Sequence, residues 1–442
     1  MRGAATYGDV NRDILKAIDR PGVKYYAALS VVTLVLAWAI YAWTVQLRLG
    51  LGVAGYTLGV RWVSYIVNFV FWVGIAHSGT LISAILFLFR APWRTAVART
   101  AEAMTVFAVM TAGLFPIIHL GRPWLFYWLM PYPNQRGLWI NFRSPLIWDV
   151  FAVSTYFIVS VAFLYLGLLP DLAAARDRTR GGRQRLYGAL ALGWRGTDRQ
   201  WKHFRSAYLF FAALATPLVI SVHSVVSWDF AMALLPGWHT TILAPYFVAG
   251  AIFSGLAMVL TLTIPLRKAL GLEQYITIRH YEMVAKMIVF TSMIVTYAYL
   301  TEGFIAWYSG NLFERDAFSH RAFGSMSGWF WLMILCNSVL PLSLLLKKVR
   351  TNIGALFTIS IFINIGMWLE RFVIIIGSLS RGHAPWAWTS YRPTWVEISI
   401  LAGSFAWFFL WFLLFTKNLP VVPIAETKES LRPALNEGMG GG

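Results

Sequence analysis

Continuous apolar runs of about 20 residues recur along the whole chain, separated by polar segments. We count ten such runs and predict a transmembrane helix at each, helices one to ten. Their bounds are 25–47, 62–89, 101–121, 144–169, 206–228, 241–266, 281–301, 328–346, 351–376 and 395–416. Because the runs are continuous and do not alternate, they exclude a membrane β-barrel. The first run is too long for the hydrophobic region of a signal peptide, so it is counted as helix one.

The runs predict an all-α integral membrane fold of two four-helix bundles, helices two to five and six to nine, flanked by helices one and ten. The amphipathic stretch TDRQWKHFRSAY, at the end of the longest loop, is expected to lie at the membrane interface. The predicted division is a cytoplasmic segment 1–24, helix one with its loop 25–61, the first bundle 62–228 with a cytoplasmic loop 170–205, the second bundle 229–376, helix ten 377–416 and a cytoplasmic, disordered tail 417–442.

The formal net charge of +18 suggests a nucleic-acid partner until the positions of the charges are considered. Of 37 Lys and Arg residues, 26 lie in segments on the side of the N-terminus and 9 on the opposite side. This asymmetry predicts that both termini are cytoplasmic. The basic excess is therefore a topology signal that also favours binding of anionic lipids, and we expect no nucleic-acid partner.

The single cysteine, Cys336, limits the cofactors that this chain could hold. One thiol cannot form an intrachain disulfide, ligate an iron–sulfur cluster or provide a CxxCH haem attachment. We therefore expect any iron–sulfur centre to belong to a partner, and we predict no metal site in this chain.

Two ionisable side chains are predicted just inside one membrane face. His119 lies near the end of helix three, and Asp149 lies about one turn inside helix four. Such groups are costly in hydrocarbon and indicate function, and neither is long enough to reach the interface. His223 and Asp229 are predicted near the same face, at the end of helix five. An imidazole and a carboxylate in an aromatic pocket can accept the phenolic protons of a quinol.

Other ionisable residues lie elsewhere in the predicted spans. His77, in the middle of helix two, could ligate haem, relay protons or bond a carbonyl group. We expect no haem, because membrane haem needs a second axial histidine on a facing helix. On helix seven, Lys286 and Glu302 are separated by about 24 Å, nearly the thickness of the hydrocarbon. Two structural ion pairs are also predicted, Glu282–Lys286 and Glu370–Arg371.

Four stretches carry a family resemblance: FWVGIAHSGTLISAILFLFR, FPIIHLGRPW, SPLIWDVFAVSTYF and VHSVVSWDFAMALLPGWHTTILAPYFVAGAIFSG. They resemble the NrfD/PsrC family of membrane subunits and, more narrowly, the ActC-type quinol-binding subunit of alternative complex III. The resemblance covers nearly all ten spans.

This resemblance implies a quinol-oxidising subunit of a respiratory or photosynthetic quinol:electron acceptor oxidoreductase in the bacterial inner membrane. The implied ligand is menaquinol or ubiquinol. The implied partners are a periplasmic iron–sulfur protein, multihaem cytochromes c and a paralogous ten-helix subunit. His119 and Asp149 would act on the quinol, with the quinone-binding residues Arg122, His223 and Asp229 close by. The implied proton route, with possible proton translocation, comprises His77, Glu282, Lys286, Tyr297, Glu302 and Arg371.

Three alternatives stay open from the sequence. The first is the membrane subunit of a molybdopterin oxidoreductase of the polysulfide reductase type, working toward quinone reduction. The second is an ion or proton transporter, which would need discontinuous helices around a midplane site. The third is a passive membrane anchor, for which the buried charges are unnecessary.

Overall fold

The structure is a computed structural model that describes residues 6–19, 21–130 and 142–429. Within these ranges the fold is helical and contains no strand, which confirms the predicted class. Ten of the described helices are long and apolar enough to cross a membrane, one at each predicted run. They are α1 (Val23–Leu49), α2 (Val63–Leu88), α3 (Pro92–His119), α4 (Pro145–Arg178), α5 (Asp198–Ala231), α6 (Leu243–Leu270), α7 (Ile278–Tyr308), α8 (Ser327–Leu345), α9 (Ile353–Leu379) and α10 (Trp395–Asn418).

The start of α1 and the end of α10 lie on one face of the molecule. Lys417, at the end of α10, donates a hydrogen bond from Nζ to the Ile18 carbonyl oxygen at 2.9 Å. We call this side the N-terminal face and the opposite side the far face. An odd-numbered helix therefore ends at the far face, and an even-numbered helix begins there.

The connection predicted at 170–205 is mostly helical, and the part outside the long helices is shorter than predicted. α4 continues to Arg178, a short helix covers Gly182–Leu190, and α5 already begins at Asp198. At the start of α5, the Thr197 hydroxyl accepts a hydrogen bond from the Gln200 amide at 3.3 Å. The reciprocal contact from the Gln200 side chain completes a capping box. The amphipathic stretch therefore forms the first turns of a spanning helix.

The tail that was predicted to be disordered is folded as far as residue 429. A short helix, Ile424–Glu429, packs against α4 and α3. The Ile424 amide donates to Asp171 Oδ1 at 3.1 Å, and Glu426 pairs with Arg94 at 2.8 Å. The prediction for residues 430–442 lies outside the described residues, as do residues 1–5, 20 and 131–141.

Small residues let the central helices approach closely. A methyl group on Gly255 of α6 would lie 2.0 Å from Ser78 Oγ of α2. A methyl group on Gly79 of α2 would lie 2.0 Å from Thr105 Oγ1 of α3. Such contacts are typical of packing between transmembrane helices. Because α2 touches α6 directly, the two halves of the molecule share an interface, and their division into two four-helix bundles stays a prediction.

A buried ionic cluster joins α3, α4 and α5 near the N-terminal face. Arg99 donates to Glu102 at 2.8 Å and to Asp171 at 3.0 Å. The Tyr208 hydroxyl donates to the other Glu102 oxygen at 2.9 Å. Removing one member would leave an unpaired buried charge, so the cluster ties these three helices together.

Candidate functional site

A cavity of about 360 Å³ opens at the far face. Its walls come from the start of α2, the end of α3, the following turn Pro123–Leu129, the start of α4 and the end of α5. Most of the lining is apolar or aromatic, and its ionisable members among the described residues are His119, Asp149 and Asp229, with the phenol of Tyr65. A mainly apolar cavity with a few convergent polar groups is typical of a small-molecule site. The structure therefore brings together three residues that were selected from the sequence.

The carboxyl groups of Asp149 and Asp229 lie beside each other. Each residue is 8% exposed, and the side chains are close enough to share a hydrogen bond. Among the described residues, no donor reaches Asp149 Oδ1 or either Asp229 oxygen. Two carboxyl groups can form a hydrogen bond only when one carries a proton. The pair can therefore take up one proton and share it at the cavity wall.

His119 is held from the loop that precedes α2. The Tyr56 hydroxyl lies 3.1 Å from His119 Nδ1, and the two rings stack. Burial, with the nearby Glu397 carboxylate, raises the pKa of Tyr56 well above its usual value. The phenol therefore stays protonated, and its oxygen can accept a hydrogen bond from Nδ1–H. In that tautomer Nε2 carries no proton and is the nitrogen that can accept one.

Tyr56 is in turn positioned by a carboxylate at the start of α10. Glu397 Oε1 accepts a hydrogen bond from the Gly55 amide at 2.6 Å, and Oε2 accepts one from the Ser64 hydroxyl at 2.6 Å. The Tyr391 hydroxyl also donates to Oε2. A methyl group on Gly55 would lie 2.9 Å from Glu397 Oε1, so the approach requires glycine. These bonds fix the loop that presents Tyr56 to the imidazole.

A second hydrogen-bonded chain fixes the end of α3. Tyr65, which lines the cavity, donates to Gln46 Oε1, and Gln46 Nε2 donates to the Ile118 carbonyl oxygen at 3.1 Å. The Ile118 carbonyl group adjoins His119. Sequence reasoning missed Tyr56, Gln46 and Glu397, because all three act through contacts between distant segments.

His223 does not line the cavity and instead faces His77 in the protein interior. The ring centroids are 4.6 Å apart, with His77 on α2 and His223 on α5. Facing helices therefore do carry two histidines, contrary to the reasoning from sequence. The rings are too close for the plane of a haem to fit between them. His77 Nε2 and both His223 nitrogens have no hydrogen-bond partner among the described residues.

Polar groups continue from the histidine pair toward the N-terminal face. The ring of Tyr156 stacks on His77, and its hydroxyl lies 2.7 Å from Thr80 Oγ1. Thr105 donates to the Ala76 carbonyl oxygen at 2.8 Å. One turn further along α3 is Glu102, in the Arg99 cluster. The first half of the molecule thus contains an interrupted column of buried polar groups.

The remaining candidates lie away from the cavity. Arg122 is exposed and does not line it. Glu282 pairs with Lys286 at 3.5 Å and with Arg350 at 3.0 Å, at the N-terminal face. The Lys286 side chain is half exposed, and Tyr297 is 64% exposed, so neither lies in the interior. The structure does not bring these residues together with the cavity.

Two further candidates form a separate buried group between α7 and α9. Glu302 pairs with Arg321, which also donates to Ser378. Arg371 lies against Glu370, as predicted, and the Tyr299 hydroxyl donates to the same carboxylate. This group is next to α6 and is not part of the cavity wall.

Comparison with known proteins gives a consistent set of relatives. The sequence model of the family described as "Polysulphide reductase, NrfD" matches residues 52–381. A putative membrane subunit of dimethyl sulfoxide reductase from Halobacterium salinarum is 27% identical over 85% of this chain and 86% of its own. A selenate reductase subunit from Mesobacillus selenatarsenatis is 22% identical over 92% of this chain and 95% of its own. The "Hdr-like menaquinol oxidoreductase integral membrane subunit" of Archaeoglobus fulgidus is 21% identical over 94% of this chain and 98% of its own. Because the family match extends from the loop before α2 to just beyond the end of α9, the chain belongs to the NrfD/PsrC family of integral membrane subunits.

Proposed function

We propose that this chain is the quinol-binding and quinol-oxidising membrane subunit of a quinol:acceptor oxidoreductase. The observation that carries the proposal is the convergence of His119, Asp149 and Asp229 on one aromatic cavity at a membrane face. A quinol ring fits the apolar walls, and its two hydroxyl groups need two proton acceptors. The name of the Archaeoglobus relative, a menaquinol oxidoreductase subunit, supports the same ligand class.

His119 and the Asp149–Asp229 pair each accept one proton of the quinol. Oxidation of a quinol to a quinone releases two protons and two electrons. His119 Nε2 accepts one proton, and the Asp149–Asp229 pair accepts the other. Tyr56 holds the imidazole in the orientation that can do so. The two electrons leave for a partner's redox centre beside the far face, since one cysteine cannot hold a cluster in this chain.

The sidedness follows from the distribution of charge. Lys and Arg residues concentrate at the N-terminal face, so we place that face in the cytoplasm and the cavity on the opposite side. A proton route to the cytoplasm would use the buried column that contains His77 and His223. Lys286 and Tyr297 are exposed, so we do not retain them in that route.

Two types of complex could contain such a subunit. The resemblance to ActC implies alternative complex III, with multihaem cytochromes and a paralogous ten-helix subunit. Two relatives are instead named as subunits of a dimethyl sulfoxide reductase and a selenate reductase. Those names favour a complex in which quinol supplies electrons to a terminal reductase, and we propose this second type.

Affinity purification of the chain from its native membrane distinguishes the two types. We expect an iron–sulfur protein and a large catalytic reductase subunit to co-purify, and quinol to reduce the complex. Co-purification of multihaem cytochromes c with a second ten-helix subunit would favour alternative complex III. Isolation of the chain without a redox partner, in mild detergent, would contradict both.

Tyr56→Phe tests the contact that orients His119. Phenylalanine keeps the stacked ring and removes only the hydroxyl group that is hydrogen-bonded to Nδ1. We expect quinol turnover by the assembled complex to fall about three- to tenfold, the effect of one hydrogen bond. Tyr297→Phe, at an exposed tyrosine, is the matched control and should leave turnover unchanged. Equal turnover of the two variants would remove Tyr56 from the site.

A further inference from the structure

A second cavity, of about 590 Å³, opens at the N-terminal face and is distinct from the far-face site. Its walls come from the end of α2, the start of α3, the middle of α4, the start of α5 and the short helix Ile424–Glu429. We call it the arginine cavity, because its lining includes Arg90, Arg94, Arg99 and Arg205.

Arg94 presents an unsatisfied donor in this cavity. Its side chain is only 7% exposed, and its guanidinium group lies 4.7 Å above the ring of Phe87. Nη2 donates to Glu426 at 2.8 Å, while Nη1 has no hydrogen-bond partner among the described residues. A buried, charged N–H group without an acceptor is rare and costly in a native protein. Arg94 Nη1 is therefore a buried donor without an acceptor, on a residue that lines the cavity.

Arg90 adds a second guanidinium group at an unusual backbone position. Its φ of 53° is in the left-handed region, at the turn that ends α2. The Arg90 amide donates to the Phe87 carbonyl oxygen, and the Ala91 amide to the Leu86 carbonyl oxygen, both at 2.9 Å. Glycine is the residue that adopts this conformation without strain. An arginine here provides a charge at the cavity mouth at the expense of a strained backbone.

The carboxylates around the cavity are already paired with arginines. The lining contains the carboxylates of Asp171, Glu426 and Glu429, and Glu102 pairs with Arg99 beside it. Each carboxylate already has a partner: Asp171 pairs with Arg99 at 3.0 Å, Glu426 with Arg94 at 2.8 Å and Glu429 with Arg205 at 3.3 Å. Arg90 and the free Nη1 of Arg94 are therefore available to an added anion. A phosphodiester carries one negative charge and several acceptor oxygens, which matches these two donors.

The surroundings of the cavity are apolar and open. Leu88 and Leu209 line it and are also exposed at the surface. The neighbouring residues Phe89 and Phe210 are 78% and 62% exposed. These side chains lie where a membrane helix meets the interface, so acyl chains would cover them. A ligand that has both a phosphate and acyl chains fits this surface better than a free phosphate ion.

We propose that the arginine cavity binds the phosphodiester headgroup of an anionic glycerophospholipid from the leaflet at the N-terminal face. Arg94 Nη1 and the Arg90 guanidinium group donate to the phosphate oxygens. The acyl chains follow the gap between the end of α2 and the start of α5. The bound lipid thereby joins α2, α3 and α5 at the face opposite the quinol cavity.

Native mass spectrometry of the purified complex tests this site, after delipidation and reloading with phosphatidylglycerol or phosphatidylcholine. We expect selective retention of phosphatidylglycerol, weakened roughly tenfold or more by Arg90→Gln, which removes a charge-assisted hydrogen bond. Arg279→Gln is the matched control, because Arg279 lies at the same face but does not line the cavity. Arg90→Gly guards against misfolding: it relieves the left-handed turn, so it should lose the lipid without losing thermal stability.

Three outcomes would overturn the proposal. The first is equal retention of phosphatidylcholine and phosphatidylglycerol. The second is wild-type retention of phosphatidylglycerol by both Arg90 variants. The third is complete displacement of the lipid by millimolar inorganic phosphate, which would identify the cavity as a site for free phosphate.

Discussion

Asp149→Asn is expected to lower quinol oxidation per assembled complex by about 10²–10⁴-fold, the usual contribution of a general base. Asparagine has nearly the same shape as aspartate but cannot take up a proton at neutral pH. Its amide group can donate to the adjacent Asp229 carboxylate, so the contact between α4 and α5 should survive. The loss should therefore appear in turnover and not in the amount of complex.

Asp171→Asn is the comparison variant, which should affect assembly of the complex where Asp149→Asn affects turnover. Asp171 is also a buried carboxylate of α4, but it pairs with Arg99 and does not line the quinol cavity. Its replacement should reduce assembly, because the charge of Arg99 is then less fully compensated. The measurement is quinol-dependent reduction of the acceptor, normalised to the amount of assembled complex. Near-normal turnover of assembled Asp149→Asn complex would show that this carboxylate does not accept the quinol proton.

Val153→Trp should abolish most quinol turnover by filling the cavity. Val153 is on α4, lines the cavity and is only partly buried, so a larger side chain can occupy the empty volume. Displacing the ring by even about 1 Å from its proton acceptors can cost about 10²-fold in rate. We expect a loss of at least that size, together with weaker quinol binding.

Ile158→Trp is the matched control on the same helix. Ile158 is 65% exposed, so the added ring should extend outward without entering the cavity. This variant should assemble and turn over like the wild type. If both tryptophan variants were equally active, quinol would not enter the cavity between α3 and α4.

Hydrophobicity and length were sufficient to predict the ten spans, because only a helix satisfies its own backbone in hydrocarbon. They were not sufficient to place every helix end. The Thr197 cap moved the start of α5 into a region that was predicted as a loop. The end of helix four was also predicted too early. Asp171 lay beyond that predicted end and was therefore missed as a buried residue.

The depth of a side chain could also be predicted, whereas its direction could not. His119 and Asp149 were placed near one face by helix register, and the structure brings both to one cavity. The same register placed Tyr297 in its helix without showing that it is exposed. Transmembrane helices are apolar on all sides, so the sequence carries little information about which side faces the interior. Tyr56 was missed because a loop has no periodicity to read.

The most direct test is photoaffinity labelling of the purified complex with an azidoquinone, followed by identification of the labelled peptides. We expect labels at the end of α3 and the start of α4, near His119 and Asp149. We also expect excess quinol and Val153→Trp to suppress the labelling, and Ile158→Trp to leave it unchanged. Labels on other helices, or equal labelling of the two tryptophan variants, would contradict a quinol site in this cavity.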